Sequence, residues 1–243
     1  MRSPQPSHIR RRALVIAVTA AVLLASALAA TAGAAPSSWS PEEQQFVYEL
    51  NRARWNPALF GVDPSATRPS APLAINAALG AAASAHSDEM ARYDYFAHQS
   101  PVTGLWPNAL ARAYGYPLPR YWPGEANNIE SIHFGQPTVA GALGSLLGSA
   151  GHRSHLMGEG WYGTHREIGA GANLQERIWS IMTAVDESGR FFLTGVAYRD
   201  PNRNRLMDLG EGLGGVTVTA GDGTTVYTTV TTSAGGWSLA VPP

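Results

Sequence analysis

Cysteine is absent from the 243 residues, so no disulfide holds any part of the chain and a small cystine-stapled scaffold is excluded. Stability must come from a packed core, with bound ions the other source open to it. Lysine is absent too, and all seventeen basic residues are arginine. Blocks of like charge, repeats of 20 to 50 residues, a Gly-x-Ser-x-Gly elbow and a cysteine nucleophile are also missing, which removes acidic or basic tails, solenoids and the common serine and thiol hydrolases.

Acidic residues number eighteen. Four of the arginines (Arg2, Arg10, Arg11, Arg12) lie in the first twelve residues, before an apolar stretch over 13–30 and the small-residue site Ala32-Gly-Ala34. A basic end, an apolar run and small residues in that order read as a secretory signal over 1–35. The apolar run is also close to the ~18 residues of a membrane span, so an uncleaved anchor is the alternative. Signal removal leaves no stable membrane span and a mildly acidic chain, which gives no support to nucleic-acid binding.

Ser40-Pro41-Glu42-Glu43 supplies a cap, a proline for the first helical position and the glutamate of a capping box, and Phe46, Val47, Leu50 and Ala53 continue as a stripe. A second amphipathic helix runs through Ile75, Leu79, Ala82, Ala83, His86, Met90 and Tyr93 and should stop near Phe96, leaving His98 on the exit loop before Ser100-Pro101. His86, on the apolar face, reads as a core histidine. A short helix around 108–113 and another from Pro137 through Leu147 follow, and His155 reads as a solvated helix end. Strand patterns cover Glu167–Ala172 and Arg177–Val185; from Phe191 the texture is all-β to Pro243, where the chain stops just after a strand, as a truncated module would. Helices first and antiparallel strands later predict an α+β fold.

Asn51-Arg52, the alanine-rich helix ending Asp88-Glu-Met90, Phe96-Ala-His98, Gly124-Glu125, Ser149-Ala-Gly-His152-Arg153 and Ile168-Gly-Ala-Gly171 keep the order and spacing of a bacterial CAP (SCP-like) extracellular domain, which this chain resembles over roughly 41–186. The resemblance implies a three-layer α-β-α sandwich with an open central cleft over 36–190, followed by a short all-β sandwich-like module over 191–243. In eukaryotic members of that family the cleft carries two histidines and two glutamates, sometimes with metal. His98 matches the first histidine and Glu125 the first glutamate; His152 or His165 matches the second histidine, and Ser149 stands near the second glutamate.

Two chemistries follow. His98, Glu125 and His152 are the donor types of a zinc site with an open position for water, Glu125 acting as general base in a metal-assisted hydrolase. Alternatively the cleft, flanked by Tyr93, Tyr95, Phe96, Trp106, Tyr121 and Trp122, binds an extracellular lipid, glycan or envelope component. A structural role at the cell surface is the third reading, and with an incomplete tetrad and no nucleophile the sequence does not establish an enzyme. The sharpest local motif is Asp200-Pro-Asn202-Arg-Asn204-Arg-Leu206-Met-Asp208-Leu-Gly-Glu211, with side-chain oxygens at loop positions one, three, five, nine and twelve and the Leu206 carbonyl at seven. That is EF-hand-type calcium spacing in a β context, with Arg205 where glycine is usual. With its flanks it resembles the calcium-binding B-type β-sandwich repeats of bacterial surface adhesins.

Overall fold

The computed structural model describes residues 15–18, 39–221 and 223–242. The signal-like segment lies outside them, except for a strand β1 (Val15–Val18) paired antiparallel with a strand of the C-terminal module.

Helix α1 (Pro41–Trp55) opens as its sequence requires: Ser40 Oγ accepts from the Glu43 amide, and the Glu43 carboxylate accepts from the Ser40 amide. Helix α2 (Ala77–Tyr93) is capped by Asn76, whose side chain accepts from the amides of Ala78 and Leu79. It ends at Tyr93 rather than Phe96, because Asp94 turns left-handed with φ 52°. Helices α3 (Pro107–Ala113), α4 (Val139–Gly148) and α5 (Ala150–Met157) follow, with Ser149 extended between the last two.

The central sheet runs β2 (Ala74–Ile75), β4 (Glu167–Asn173), β5 (Ile178–Ala184), β3 (Glu130–Phe134) in spatial order, antiparallel except for β2 with β4. Strand alternation sends its two faces into two cores. Ile168, Ala170, Trp179 and Ile181 pack with α1, α4 and α5, and Met182 and Ala184 pack with α2 and α3. Three layers result, and the α+β expectation holds.

Helix α2 lies directly on β4 because glycines stand at positions 169 and 171 of that strand. A Cβ on Gly169 would stand 2.1 Å from the Leu79 carbonyl carbon, and one on Gly171 2.2 Å from that of Ala83. Glycine is the residue type that permits backbone against backbone.

Beyond β5 come β6 (Phe191–Val196) paired with β9 (Gly236–Val241), and β7 (Thr217–Gly221) paired with β8 (Val226–Val230). Val218, Ala220, Trp237 and Leu239 form their small core. This module docks on α1 and β2. Ser233 and Ser238 donate to the carbonyls of Trp39 and Ile75, and a Cβ on Gly236 would collide with the Gln44 amide.

Candidate functional site

Strand β3 lies at the free edge of the central sheet, so its ends are open to both helical layers. Asn127 sets its start, its side-chain oxygen accepting from the amides of Ile129 and Glu130. Alternation then turns Glu130 and Ile132 toward α2, and Ser131 and His133 toward α5.

The Glu130 side chain is 0 % exposed. Its Oε1 accepts from His86 Nδ1 at 2.6 Å and from Ser180 Oγ at 2.7 Å, and its Oε2 accepts from His98 Nδ1 at 2.9 Å. Burial alone would push this carboxyl up, but the hydrogen bonds from His86 and His98, with the His86 charge, hold it below the ordinary carboxylate value. Burial likewise opposes charge on His86, yet the bond to Glu130 and its negative charge raise that imidazole above its ordinary value. Glu130 and His86 are therefore a buried ion pair. An ionised carboxylate only accepts, so His98 must present Nδ1–H to it and keeps Nε2 free.

The sequence-predicted residues divide around this centre. His98 is half-buried beside Glu130, while Glu125, five residues earlier, is exposed. His152 on α5 faces the same cleft: burial and then the His98 charge lower its pKa, as burial and the His152 charge lower that of His133. The rings of Phe96 and Phe134, 6.0 Å apart and both exposed, close one side. Ser149, where a second glutamate was sought, is an exposed helix cap. Among the described residues no three His, Asp or Glu side chains are grouped so as to hold a metal ion. Glu130, His133 and Ser180 were missed from sequence. The available signal was a glutamate sharing the Ile132 face of a strand, opposite a histidine on an apolar helix stripe.

On the other face of the sheet His155 and His165 form a buried chain with Ser131 and Thr183. Ser131 Oγ lies 2.7 Å from His155 Nδ1, His155 Nε2 lies 2.7 Å from Thr183 Oγ1, and that oxygen lies 2.6 Å from His165 Nδ1. His155 is buried, not a solvated helix end, because Leu156 and Met157 beside it enter the core and draw that turn inward. His165, the other candidate for the second cleft histidine, sits in this chain under Trp122, Trp161 and Tyr162, not beside His98. Burial is the main cause that lowers both imidazoles; the charges of His165 and His152 add to it at His155, and that of Arg54 at His165, which falls to about 3. Arg54 itself is buried, donating to the carbonyls of Ala71 and Leu156.

A second concave feature lies apart from the histidines. Between α1 and α4 a groove of about 380 Å³ is lined by Phe60, Val139, Leu143, Leu147, Leu174 and Leu209, with Glu42 and Glu49 on its α1 side. Leu209 belongs to the Asp200–Glu211 loop of the C-terminal module.

In that loop Asn202 and Asn204 both donate to Asp208 Oδ2, at 2.6 and 2.7 Å, and Asp200 accepts from the amides of Asn204 and Arg205. Glu211 accepts from the Asp208 amide. Arg205 takes φ 65°, so the left-handed turn that glycine usually makes is made here by arginine.

No family model matches the chain, and no curated protein matches it. Among solved structures it is similar to an extracellular SCP-domain protein from Bacillus anthracis, with TM-score 0.46 and 21 % identity over 59 % of this chain and 40 % of that one. It is also similar to an outer surface protein from Borrelia burgdorferi, with TM-score 0.41 and 14 % identity over 60 % of this chain and 94 % of that one. A cysteine-rich secretory protein from Staphylococcus aureus gives TM-score 0.37 and 16 % identity over 59 % and 38 %. The chain thus spans about two-fifths of the first and third of these proteins.

Proposed function

We propose that this is an exported ligand-binding protein of the CAP-like type, and that the groove between α1 and α4 takes the acyl chain of a lipid. The observation that carries this is the groove's lining, in which Val139, Ala140, Leu143, Leu147, Leu174, Leu209 and Phe60 outnumber the polar Glu42, Gln45, Glu49 and Thr138 around about 380 Å³, within the ~300–1,000 Å³ of ordinary ligand clefts. Ten buried methylenes at about 0.8 kcal/mol each would contribute about 8 kcal/mol, the scale of a micromolar complex before association costs are subtracted. A Kd in the micromolar range or weaker is expected. Export is supported by the basic, then apolar, N-terminal sequence, and no helix among the described residues is long and apolar enough to cross a membrane.

Hydrolysis in the histidine cleft has less support. A general base must reach the proton that it removes, and Glu130, the carboxylate beside His98, is sequestered with both oxygens engaged. Zinc on His98 and His152 with Glu125 as base would require the exposed Glu125 to turn inward.

The test is calorimetric titration of the protein with monododecanoylglycerol, an uncharged single-chain amphiphile, beside Ala140→Asp and Leu209→Asp. Both substitutions fall on exposed lining positions, so the fold should persist. Saturable binding weakened tenfold or more in each variant is the expected result. No binding to the folded wild type would end the acyl-chain reading.

We further propose that Asp200, Asn202, Asn204, Asp208 and Glu211, with the Leu206 carbonyl, bind calcium. The donor set fits a hard cation: the side chains of Asn202, Asn204 and Asp208 already meet, and an amide presents oxygen in place of nitrogen by a half-turn about its last bond. Bound calcium would neutralise the Asp200 and Asp208 charges and tighten the loop. Chelation is expected to lower the melting temperature by several degrees in the wild type and to leave Asp200→Ala unchanged. Identical wild-type melts with excess calcium and excess chelator would rule the site out.

A further inference from the structure

Two of the aromatic side chains that the sequence sets beside the histidine cleft stand over His165 instead. Tyr121 and Trp122 belong to the proline-rich loop after α3, and they meet Trp161 and Tyr162 of the 3₁₀ turn Gly160–Thr164 that follows α5. The ring centroids of Tyr121 and Trp122 are 6.5 Å apart, those of Trp122 and Trp161 4.9 Å and those of Trp161 and Tyr162 5.1 Å. One continuous aromatic surface results. Tyr121 is 83 % exposed and Trp161 46 %, with Trp122 between them at 6 %.

This surface is held in place. Arg112 Nη2 donates to the carbonyls of Pro119 and Trp122, both at 2.8 Å, Asn108 donates to that of Pro123, and Glu187 accepts from the Arg120 amide. Prolines at 117, 119 and 123 fix their own φ angles. The 3₁₀ turn is closed by the His165 amide on the Tyr162 carbonyl and by the Thr164 hydroxyl on that of Trp161. Rings fixed in this way lose little freedom when a ligand lies on them.

Packing alone does not account for the cluster. Among the described residues the phenol oxygens of Tyr121 and Tyr162 and the indole nitrogens of Trp122 and Trp161 have no protein hydrogen-bond partner, whereas Trp179 in the core donates to the Gln136 carbonyl and Tyr116 to Glu167. Beneath the rings, His165 Nδ1 lies 2.6 Å from Thr183 Oγ1 on the sheet. Its Nε2, across the imidazole and so directed away from the sheet, is buried without a partner. An unpaired buried nitrogen costs stability, and such groups recur at functional sites.

We propose that Tyr121, Trp122 and Trp161 form a stacking platform for an oligosaccharide, separate from the groove between α1 and α4. A pyranose ring presents a face of C–H bonds that lies on an aromatic face, and a rim of hydroxyls that needs hydrogen-bond partners. The platform supplies both: rings spaced at roughly the length of a sugar unit, with unengaged O–H and N–H groups at their edges. A bilayer surface is the poorer partner. The neighbours of these rings along the chain include Arg120, Gly160, Gly163 and Thr164, which bring no aliphatic surface to bury among acyl chains.

The test titrates chitotriose and cellotriose, β-linked trimers with and without acetamido groups, into the wild type, Tyr121→Ala, Trp161→Ala and Trp55→Ala, followed by calorimetry and tryptophan fluorescence. All three substituted side chains are exposed, so the fold should persist. The wild type should bind at least one trimer saturably, about tenfold more tightly than either Tyr121→Ala or Trp161→Ala. Trp55→Ala, which removes a 76 % exposed tryptophan at the end of α1, should bind as the wild type does, and so should Leu209→Asp, whose defect lies in the acyl groove. Binding of neither trimer to the folded wild type, or equal binding in Tyr121→Ala and Trp161→Ala, would overturn the platform and leave the acyl reading untouched. So would adsorption to phosphatidylcholine–phosphatidylglycerol vesicles, lost in the same two variants, by a protein that ignores both trimers.

Discussion

Alanine in place of Gly169 is expected to destabilise the protein by about 3 kcal/mol or more, a large part of the ~5–15 kcal/mol that holds a typical domain together. The added methyl would stand 2.1 Å from the Leu79 carbonyl carbon and 2.2 Å from the Gly80 nitrogen, and both are helix backbone. A flexible side chain could swing aside; a helix must move as a body. Shifting α2 outward would open the Leu79, Ala82 and Ala83 packing against β5 and pull His86 from Glu130. Gly171→Ala should behave alike, one helical turn along. Gly144→Ala is the control, since a Cβ there meets nothing within 4 Å and alanine is the better helix former. Denaturant unfolding of the three variants decides the matter. A Gly169→Ala protein within 1 kcal/mol of wild type would mean that α2 does not lie on β4 as described.

The second large effect concerns Glu130. Glu130→Gln is expected to cost about 3 kcal/mol near pH 5.5, because it leaves protonated His86 buried without its counter-charge and sets an amide N–H against a ring N–H. The pH dependence has a sign that follows from the two shifts. His86 is raised in the folded state, so its contribution is fully present below its unfolded value near 6.5 and is lost as pH rises through the folded value. Glu130 is lowered, so its contribution is present above its unfolded value near 4.5 and is lost as pH falls through the folded value. The stability difference between wild type and Glu130→Gln should therefore be greatest between about pH 4.5 and 6.5 and diminish on either side. Taking the difference removes the His165 contribution, which is common to both proteins. A difference that stays flat from pH 4 to 8 would show that the pair is not ionic.

How much of this was legible in the sequence depended on whether the signal was local. The capping box at Ser40, the amphipathic stripe of α2, both long strands and the all-β texture after Phe191 announce themselves within a few residues, and each element is present, α2 stopping short of Phe96 at Tyr93. The cleft is not local. Gly124-Glu125 matches the family's first glutamate, yet Ala126 stands before the Asn127 turn, and the carboxylate that reaches His98 is Glu130, the first residue of β3. Only sheet register shows that Glu130 lies opposite Met182, next to Ser180 and below His86. His155 misled for a related reason. Its place near the end of a helix reads as solvated, but a helix end is solvated only if nothing covers it, and the strand residues that cover this one lie 24 and 28 residues away.

The docking of the C-terminal module on α1 and β2 bears on how this chain could be taken apart. Ala234 belongs to the main core, Gly236 has Gln44 where a side chain would be, and two serines are tied to Trp39 and Ile75. Grafted onto an unrelated carrier, the last fifty residues would keep their own hairpins but leave that contact face bare. The boundary near Phe191 is thus a change of architecture across a packed contact: recombination there would bare the docking faces of α1 and β2, and Leu209 would leave the groove with the departing half.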